Sequence, residues 1–222
     1  MGSYYAETLA GERLRRCYEL ASPRVQQYLE AEIQYVLGHL RTADAILELG
    51  CGYGRVALRL AEVAGRVVGI DTAAESLRLA RQLDTRHRCE FLEMDGLRLG
   101  FADGLFDAVV CVQNGVCAFG VDQEALVREA LRVTRPGGLV LLSTYTDGFW
   151  AERLAWFEAQ AAAGLIGKIA RAESGDGVIV TEDGFCAGRL TQDGFNVLCS
   201  AVDRKGTITE VDGSSVFCTL VK

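Results

Sequence analysis

Residues 46–55, ILELGCGYGR, decide the fold of this chain. They begin with a short apolar run that contains a single acid, Glu48, and that indicates a buried strand. Gly50, Gly52 and Gly54 follow at alternate positions, and the next segment, GRVALRLAEVAG, has helical spacing. Glycines allow a tight turn and a close approach of the backbone to a ligand. We therefore predict a strand, a ligand-binding turn and a helix.

The same alternation of strand and helix continues along the chain. Four more apolar runs indicate buried strands: RVVGID, CEFLEMD, FDAVVCVQN and GLVLLSTY. Near-continuous apolar strands separated by helices are typical of a parallel sheet covered on both faces, which is a doubly wound α/β fold. Such sheets bind ligands at the carboxyl ends of their strands. The final stretch, GTITEVDGSSVFCTLVK, reads as two strands joined in an antiparallel hairpin.

Acidic residues mark three of these strand ends, at Glu48, Asp71 and Asp95. A dinucleotide fingerprint requires G-x-G-x-x-G, but here the third glycine comes one residue early and Arg55 takes its place. A carboxylate beside the turn repels a pyrophosphate and attracts an ammonium or sulfonium group. The turn is therefore suited to a cationic ligand tail.

The other two acids describe the rest of the ligand. An acid at the end of the second strand, Asp71, can accept hydrogen bonds from ribose hydroxyls. Asp95 can accept from an adenine amino group. A ligand with an adenine, a ribose and a cationic tail, but no pyrophosphate, matches S-adenosylmethionine.

At this point the sequence resembles the class I, Rossmann-like family of S-adenosylmethionine-dependent methyltransferases. The resemblance covers about residues 35–222 and rests on ELGCGYGR, the strand-end Asp71, MDG at 94–96, FDAVVCVQN and LRVTRPGGLVLLSTY. It implies a doubly wound, mostly parallel seven-stranded sheet with an antiparallel last strand. It also implies direct in-line methyl transfer from the cofactor.

The resemblance further implies which residues hold the cofactor. The backbone at the glycine turn meets the methionine part, Asp71 binds the ribose, and Asn114 borders the transferable methyl. Cys51 packs in the turn and is not a nucleophile. The expected cofactor contacts are Glu48, Gly50, Cys51, Gly52, Gly54, Asp71, Thr72, Met94, Asp95, Gly96, Gln113 and Asn114.

We expect two parts in the chain, an N-terminal helical lid over residues 1–40 and a methyltransferase domain over 41–222. The lid consists of a helix over 4–20 and a second helix from Ser22-Pro23 to about Leu40. An acceptor-side insertion is expected at about 147–190. Tyr4 and Tyr5 open the lid, and closing over the cofactor and resting on the sheet explain them equally well.

The expected catalytic residues are Tyr5, Asn114 and Tyr145, because a phenol or carboxamide at the ligand edge can orient an acceptor. The two histidines, His39 and His87, lie away from that edge. Cys111 and Cys117 flank Asn114 and could bind a soft acceptor such as arsenite, although burial in and after the fourth strand is the favoured explanation.

The amino-acid composition limits the kinds of partner and metal that we expect this chain to bind. The 222 residues carry a formal charge of −7 and no basic stripe, which argues against nucleic-acid binding. No apolar run approaches the length of a membrane span or a secretion signal, so we expect a cytoplasmic protein, monomer or homodimer. Eight cysteines without a Cys-x-x-Cys pair, and only two histidines, argue against a metal site.

The sequence thus predicts an enzyme that methylates a small-molecule acceptor with S-adenosylmethionine, with the acceptor atom (nitrogen, oxygen or sulfur) undetermined. Two alternatives stay open at this point. One is a Rossmann-type NAD(P)-binding oxidoreductase, against which Glu48 and the early third glycine argue. The other is a regulatory protein that binds S-adenosylmethionine without catalysis.

Overall fold

The computed structural model describes residues 4–222 and is built on a seven-stranded sheet in the order β3-β2-β1-β4-β5-β9-β8. The strands are β1 (Ala45–Leu49), β2 (Arg66–Asp71), β3 (Cys89–Glu93), β4 (Phe106–Cys111), β5 (Thr134–Tyr145), β6 (Ile179–Val180), β7 (Cys186–Ala187), β8 (Gly206–Val211) and β9 (Ser215–Val221). The helices are α1 (Tyr4–Glu7), α2 (Gly11–Glu19), α3 (Pro23–Leu37), α4 (Arg55–Leu60), α5 (Ala74–Leu83), α6 (Gly115–Ala118), α7 (Gln123–Val133), α8 (Trp150–Ala162) and α9 (Gln192–Ala201). A 3₁₀ turn, Asp147–Phe149, precedes α8.

Strand pairing confirms the predicted fold class. Strands β1 to β5 pair in parallel, and β9 runs antiparallel to both β5 and β8. The separate pair β6–β7 forms a small antiparallel hairpin. Parallel pairing brings the carboxyl ends of β1 to β4 to one edge of the sheet, which is the edge where the three strand-end acids were expected.

Burial on both faces explains why the strands are so uniformly apolar. Successive residues of a strand point to opposite faces. In β1, Ile46 packs with Ile33 and Leu60 of α3 and α4, whereas Leu47 packs with Val127 of α7. The sheet is therefore the centre of a three-layer arrangement, and its faces leave only the edges free for ligands.

Several predicted boundaries are wrong. The helix expected over residues 4–20 is two helices, because the chain breaks before Gly11, whose φ of +55° is left-handed. The second helix begins as expected, with Ser22 accepting a hydrogen bond from the Val25 N–H, but it ends at Leu37. Helix α4 stops at Leu60 instead of reaching Gly65, and β5 begins before Pro136.

The N-terminal helices cover the carboxyl edge of the sheet. The Gly11 N–H donates to Ser76 Oγ of α5 at 2.9 Å, which fixes the start of α2 beside α5. Trp156 of α8 donates its indole N–H to the Cys17 carbonyl at 2.8 Å. Together α2, α3, α8 and the β6–β7 hairpin enclose an apolar cluster that is separate from the two sheet cores. Of the predicted lid, residues 1–3 lie outside the described part of the chain.

Within residues 4–222, we find no helix that is both long and apolar enough to cross a membrane.

Candidate active site

A cavity of about 720 Å³ opens above the carboxyl ends of β1, β2 and β4. One part, the glycine-turn end, is lined by Glu48 to Tyr53, Arg55, Asp71 to Ala73 and Met94 to Gly96. The other part, the aromatic end, is lined by Tyr4, Tyr5, Leu9, Tyr18, Gln113, Phe185 and Cys186. The first comes from the strand ends and the second from the N-terminal helices and the β6–β7 hairpin.

The glycine turn has the left-handed backbone that its composition suggested. Gly50, Gly52 and Gly54 have φ values of +69°, +53° and +83°, and Gly54 begins α4. A Cβ at Gly50 would lie 2.3 Å from the Phe119 ring, and a Cβ at Gly52 would lie 3.0 Å from Leu14. Glycine at these positions therefore brings the backbone close to whatever fills the cavity.

Two ionisable side chains at this end keep buried polar atoms without hydrogen-bond partners among the described residues. Glu48 is 4% exposed, and its Oε2 atom has no hydrogen-bond partner among the described residues. Burial raises the pKa of Glu48 to about 8, an effect that the nearby Arg55 guanidinium opposes. The Nε and Nη2 atoms of Arg55 are also buried without partners, and the guanidinium lies 5.0 Å from the centre of the Tyr18 ring.

This pair tests whether the site suits the expected cofactor. A buried carboxylate and guanidinium cost free energy unless something satisfies them. The amino-acid end of S-adenosylmethionine carries one ammonium and one carboxylate, which are the complementary charges. The residues present therefore fit the cofactor.

Asp71 has a second task that the sequence did not reveal. Its Oδ2 accepts from the Gly52 N–H and its Oδ1 from the Ala73 N–H, both at 2.8 Å. Burial raises the pKa of Asp71, and these backbone donors oppose the rise. The carboxylate thus holds the glycine turn against the end of β2 while it lines the cavity with Thr72.

The third strand end is more open. Asp95 is exposed and accepts from the Leu97 N–H at 2.9 Å, and it lines the cavity between Met94 and Gly96. A Cβ at Gly96 would lie 2.8 Å from Leu126 Cδ1, so the backbone is tightly packed here.

Of the three expected catalytic residues, Tyr5 alone lines the cavity. The side chain of Asn114 is buried behind the wall, where it donates to the Gly188 carbonyl and accepts from Thr144 Oγ1, both at 2.8 Å. Tyr145 packs against Tyr28, and the guanidinium of Arg153 lies 4.4 Å from its ring centre. The structure therefore does not bring Asn114 or Tyr145 to the site.

Backbone conformation explains the displacement of Asn114. Gln113 and Asn114 both have left-handed φ values, +55° and +63°. This double turn leaves Gln113 at the cavity and turns Asn114 inward. Gln113 Oε1 accepts from the Tyr18 hydroxyl at 3.1 Å, and its Nε2 is buried without a partner among the described residues.

Glu32 of α3 supports this turn, and sequence reasoning missed it. It is fully buried, accepts from the Gln113 N–H at 2.9 Å, and accepts from Ser215 Oγ at 2.8 Å. Burial raises the pKa of Glu32 to about 7, although these hydrogen bonds lower it. An acid on the same helical face as Leu29, Ile33 and Val36 is a signal that could have found it.

The cysteines near the site are packing residues. A Cβ at Gly69 of β2 would lie 2.9 Å from the Cys51 thiol, and burial raises the pKa of that thiol well above its usual range. Neither Cys111 nor Cys117 lines the cavity within the described chain. Burial raises the pKa of Cys117 to about 11, and Gln123 Nε2 lies 3.7 Å from its sulfur.

Comparisons with known proteins agree with this geometry. Residues 46–138 match the family model described as a methyltransferase domain. The chain is 33% identical over 112 residues to the malonyl-[acyl-carrier protein] O-methyltransferase of Yersinia pestis, covering 50% of this chain and 40% of that protein. It is 41% identical over 105 residues to the demethylmenaquinone methyltransferase of Thermus thermophilus, covering 44% and 45% respectively.

A crystal structure of an S-adenosylmethionine-dependent methyltransferase from Methanosarcina mazei shares the fold. Its TM-score is 0.64 at 19% identity, over 85% of this chain and 96% of that one. The aligned region spans less than half the length of either curated relative. Residues 46–138 therefore match a methyltransferase domain, and the chain has the fold of a solved S-adenosylmethionine-dependent methyltransferase.

Proposed function

We propose that the protein transfers the methyl group of S-adenosylmethionine to a small-molecule acceptor. The observation that carries the proposal is that Glu48 and Arg55, which both line the glycine-turn end of the cavity, keep buried polar atoms without hydrogen-bond partners among the described residues. The printed names of the relatives support it, since one acts on a malonyl-[acyl-carrier protein] and another on demethylmenaquinone.

Each end of the cavity then has its own task. Glu48 binds the ammonium of the cofactor and Arg55 its carboxylate, while Asp71 accepts from the ribose and Asp95 from the adenine amino group. When bound, the cofactor supplies a methyl carbon whose bond to the sulfonium breaks with the electron pair staying on sulfur, as the acceptor's lone pair forms the new bond. Tyr5 and Gln113 line the acceptor side, and the N-terminal helices exclude water from it.

Calorimetric titration separates this proposal from the oxidoreductase alternative. We expect S-adenosylhomocysteine to bind and NADH to show no heat of binding. Glu48→Gln serves as a control, because it should weaken binding of S-adenosylhomocysteine without changing the fold. Binding of NADH alone would overturn the proposal.

A second experiment separates an enzyme from a regulatory binder. The protein is incubated with methyl-labelled cofactor and a metabolite extract, and the small-molecule fraction is searched for label. A labelled product that disappears with the Glu48→Gln variant supports catalysis. Binding of S-adenosylhomocysteine without any labelled product favours the regulatory alternative.

A further inference from the structure

We propose that the aromatic end binds an acceptor with an aromatic body and no charged substituent, whose nucleophilic atom needs no base from the protein. This inference rests on the proposed function, since it names the class of molecule that faces the cofactor. Three features of the aromatic end, as the structure describes it over residues 4–222, support it: the absence of charged side chains from its lining, the geometry of its aromatic rings, and its titratable groups.

Charge is divided sharply between the two ends. The charged side chains that line the cavity are Glu48, Arg55, Asp71 and Asp95, all at the glycine-turn end. In residues 4–222, the lining of the aromatic end contains no acid, lysine, arginine or histidine. Arg55, whose guanidinium lies 5.0 Å from the centre of the Tyr18 ring, is taken by the cofactor carboxylate in the proposed function. A carboxylate or phosphate on the acceptor would therefore lose its water here without gaining a cation of its own, which is costly.

The rings suit a planar apolar body. Phe185 is buried and packs against Tyr4 and Tyr5, with ring centres 5.0 and 5.8 Å apart and the rings inclined at 59° and 72°. Tyr18 meets Tyr53 edge-on at 5.7 Å. Tilted and edge-to-face pairs of this kind are the arrangement that aromatic groups prefer, and a further ring extends them readily.

The titratable groups here are donors rather than bases. Burial raises the pKa of Tyr4 and Tyr53 to about 12, and burial also raises the pKa of Tyr5 and Tyr18. Asp183, just outside the lining, accepts from the Tyr4 hydroxyl at 2.6 Å, and Arg13 lies near the same phenol. Arg153 lies near Tyr5, Arg55 near Tyr18 and Tyr53, and Arg15 and Glu19 also near Tyr53. The remaining titratable group, the Cys186 thiol, is exposed at the rim.

Gln113 offers the polar contact that orients the acceptor. Its Oε1 is occupied by the Tyr18 hydroxyl, which leaves the buried Nε2 to donate. An oxygen, nitrogen or sulfur on the acceptor ring would satisfy this donor. With no base lining this end in the described part of the chain, the nucleophile arrives uncharged and with a free lone pair, as a neutral arylamine that releases a proton to water after methylation.

Equilibrium binding tests the inference without turnover. The probes are 2-naphthol, 2-naphthylamine, 2-naphthoate and 2-naphthyl phosphate, each titrated into protein saturated with S-adenosylhomocysteine. We expect the naphthol and the amine, which are uncharged at neutral pH, to bind at least ~10-fold more tightly than the naphthoate and the phosphate, because only these two escape the penalty for a buried unpaired charge. Tighter binding of either anion, or no binding by any of the four, would overturn the inference.

Variants assign that binding to the aromatic end. Phe185→Ala should weaken naphthol binding ~10-fold or more, because it removes the ring that both tyrosines contact. Phe185→Leu, which preserves apolar volume, should have a smaller effect. Affinity for S-adenosylhomocysteine should stay within ~3-fold in both variants. Unchanged naphthol affinity in Phe185→Ala would refute the assignment.

The rate of methyl transfer provides a second, independent test. With S-adenosylmethionine present, 2-naphthylamine should form S-adenosylhomocysteine faster than 2-naphthol, because its neutral nitrogen offers a lone pair without first losing a proton. Faster reaction with cyclohexanol, which would need a base, contradicts the inference. Failure to bind S-adenosylhomocysteine at all would instead refute the proposed function, so the two failures are distinguishable.

Discussion

The two ends of the cavity differ in charge and in how the chain builds them. The glycine-turn end comes from a stretch between Glu48 and Gly96, where three adjacent parallel strands end. The aromatic end joins residues near the N-terminus to the β6–β7 hairpin, which are separated by most of the chain. Strand register fixes the first end, whereas long-range packing of apolar side chains fixes the second. Changes at the first should therefore act on the cofactor and changes at the second on the acceptor.

The largest effect is expected at the centre of the glycine turn. Gly50→Ala places a methyl group 2.3 Å from the Phe119 ring and forces a left-handed φ on alanine, which alone costs about 1–2 kcal/mol. We expect affinity for S-adenosylhomocysteine, measured by calorimetry, to fall ~100-fold or more.

Gly213→Ala is the matched control for this variant. Gly213 has a similar φ of +63°, but a Cβ there meets nothing within 4 Å. It should cost stability through backbone strain and leave affinity for S-adenosylhomocysteine unchanged. Equal affinity losses in both variants would show that strain, and not the shape of the turn, governs binding.

Glu32 supports the turn at Gln113, between the two ends of the cavity, and its ionisation can be tested through the free energy of unfolding. Its pKa of about 7 in the folded state exceeds the ordinary value of 4.5, because burial disfavours the charged form. The contribution of the protonated side chain is therefore fully present below pH 4.5 and is lost as the pH rises through 7. Relative to Glu32→Gln, which stays neutral, the wild-type free energy of unfolding should fall by up to about 3 kcal/mol across that range.

Urea unfolding at several pH values measures this difference. Glu30→Gln is the control on the same helix, because Glu30 is paired with Arg59 near the surface and its hydrogen bonds to that arginine lower its pKa. The Glu30 difference should not fall between pH 4.5 and 7. Parallel wild-type and Glu32→Gln curves over the same range would show that Glu32 is ionised throughout.

Substitution of Asp71 tests the glycine-turn end through binding of S-adenosylhomocysteine. Asp71→Ala leaves the Gly52 and Ala73 N–H groups without their acceptor, and it removes the proposed contact to the cofactor ribose. We expect affinity for S-adenosylhomocysteine to weaken by ~1–3 kcal/mol, the usual cost of unpaired polar groups. Asp71→Asn should lose less, because its amide oxygen still accepts, and the exposed Asp95→Ala should also lose less. Unchanged affinity in Asp71→Ala would remove Asp71 from the site.

The sequence predicted the glycine-turn end because its signals are local. A strand, a turn and a helix follow one another in ILELGCGYGR, and the alternation of apolar strands with helices fixes where the strands end. The resemblance implied a mostly parallel seven-stranded sheet with an antiparallel last strand, and the structure confirms it. The start of α3 at Ser22-Pro23 is local in the same sense, since the cap bond closes within three residues.

The sequence could not predict the aromatic end because its contacts are long-range. Tyr4 meets Phe185 and Asp183, and no local pattern indicates that pairing. Asn114 was expected at the site on its position after β4, but two consecutive left-handed residues turn it inward. Tyr145 ends β5 as predicted, yet its ring lies among Tyr28 and Arg153.

The pH dependence of cofactor binding tests Glu48 directly. Burial raises its pKa to about 8 in the free protein, and a bound ammonium would lower that pKa. Binding should therefore release a proton, and affinity for S-adenosylhomocysteine should rise by up to about tenfold per pH unit from pH 6 towards 8. Calorimetry in two buffers of different ionisation enthalpy counts the proton.

Two variants decide which end of the cavity produces this pH dependence. Glu48→Gln cannot ionise, so it should bind S-adenosylhomocysteine with a much flatter pH profile, and any slope that persists belongs to the ligand. Phe185→Leu at the aromatic end should keep the wild-type slope. A flat wild-type profile would mean that Glu48 is ionised before the ligand arrives, with Arg55 as its partner instead of the cofactor. The ammonium would then need another acceptor, and Asp71, the other acid beside the turn, would be the candidate.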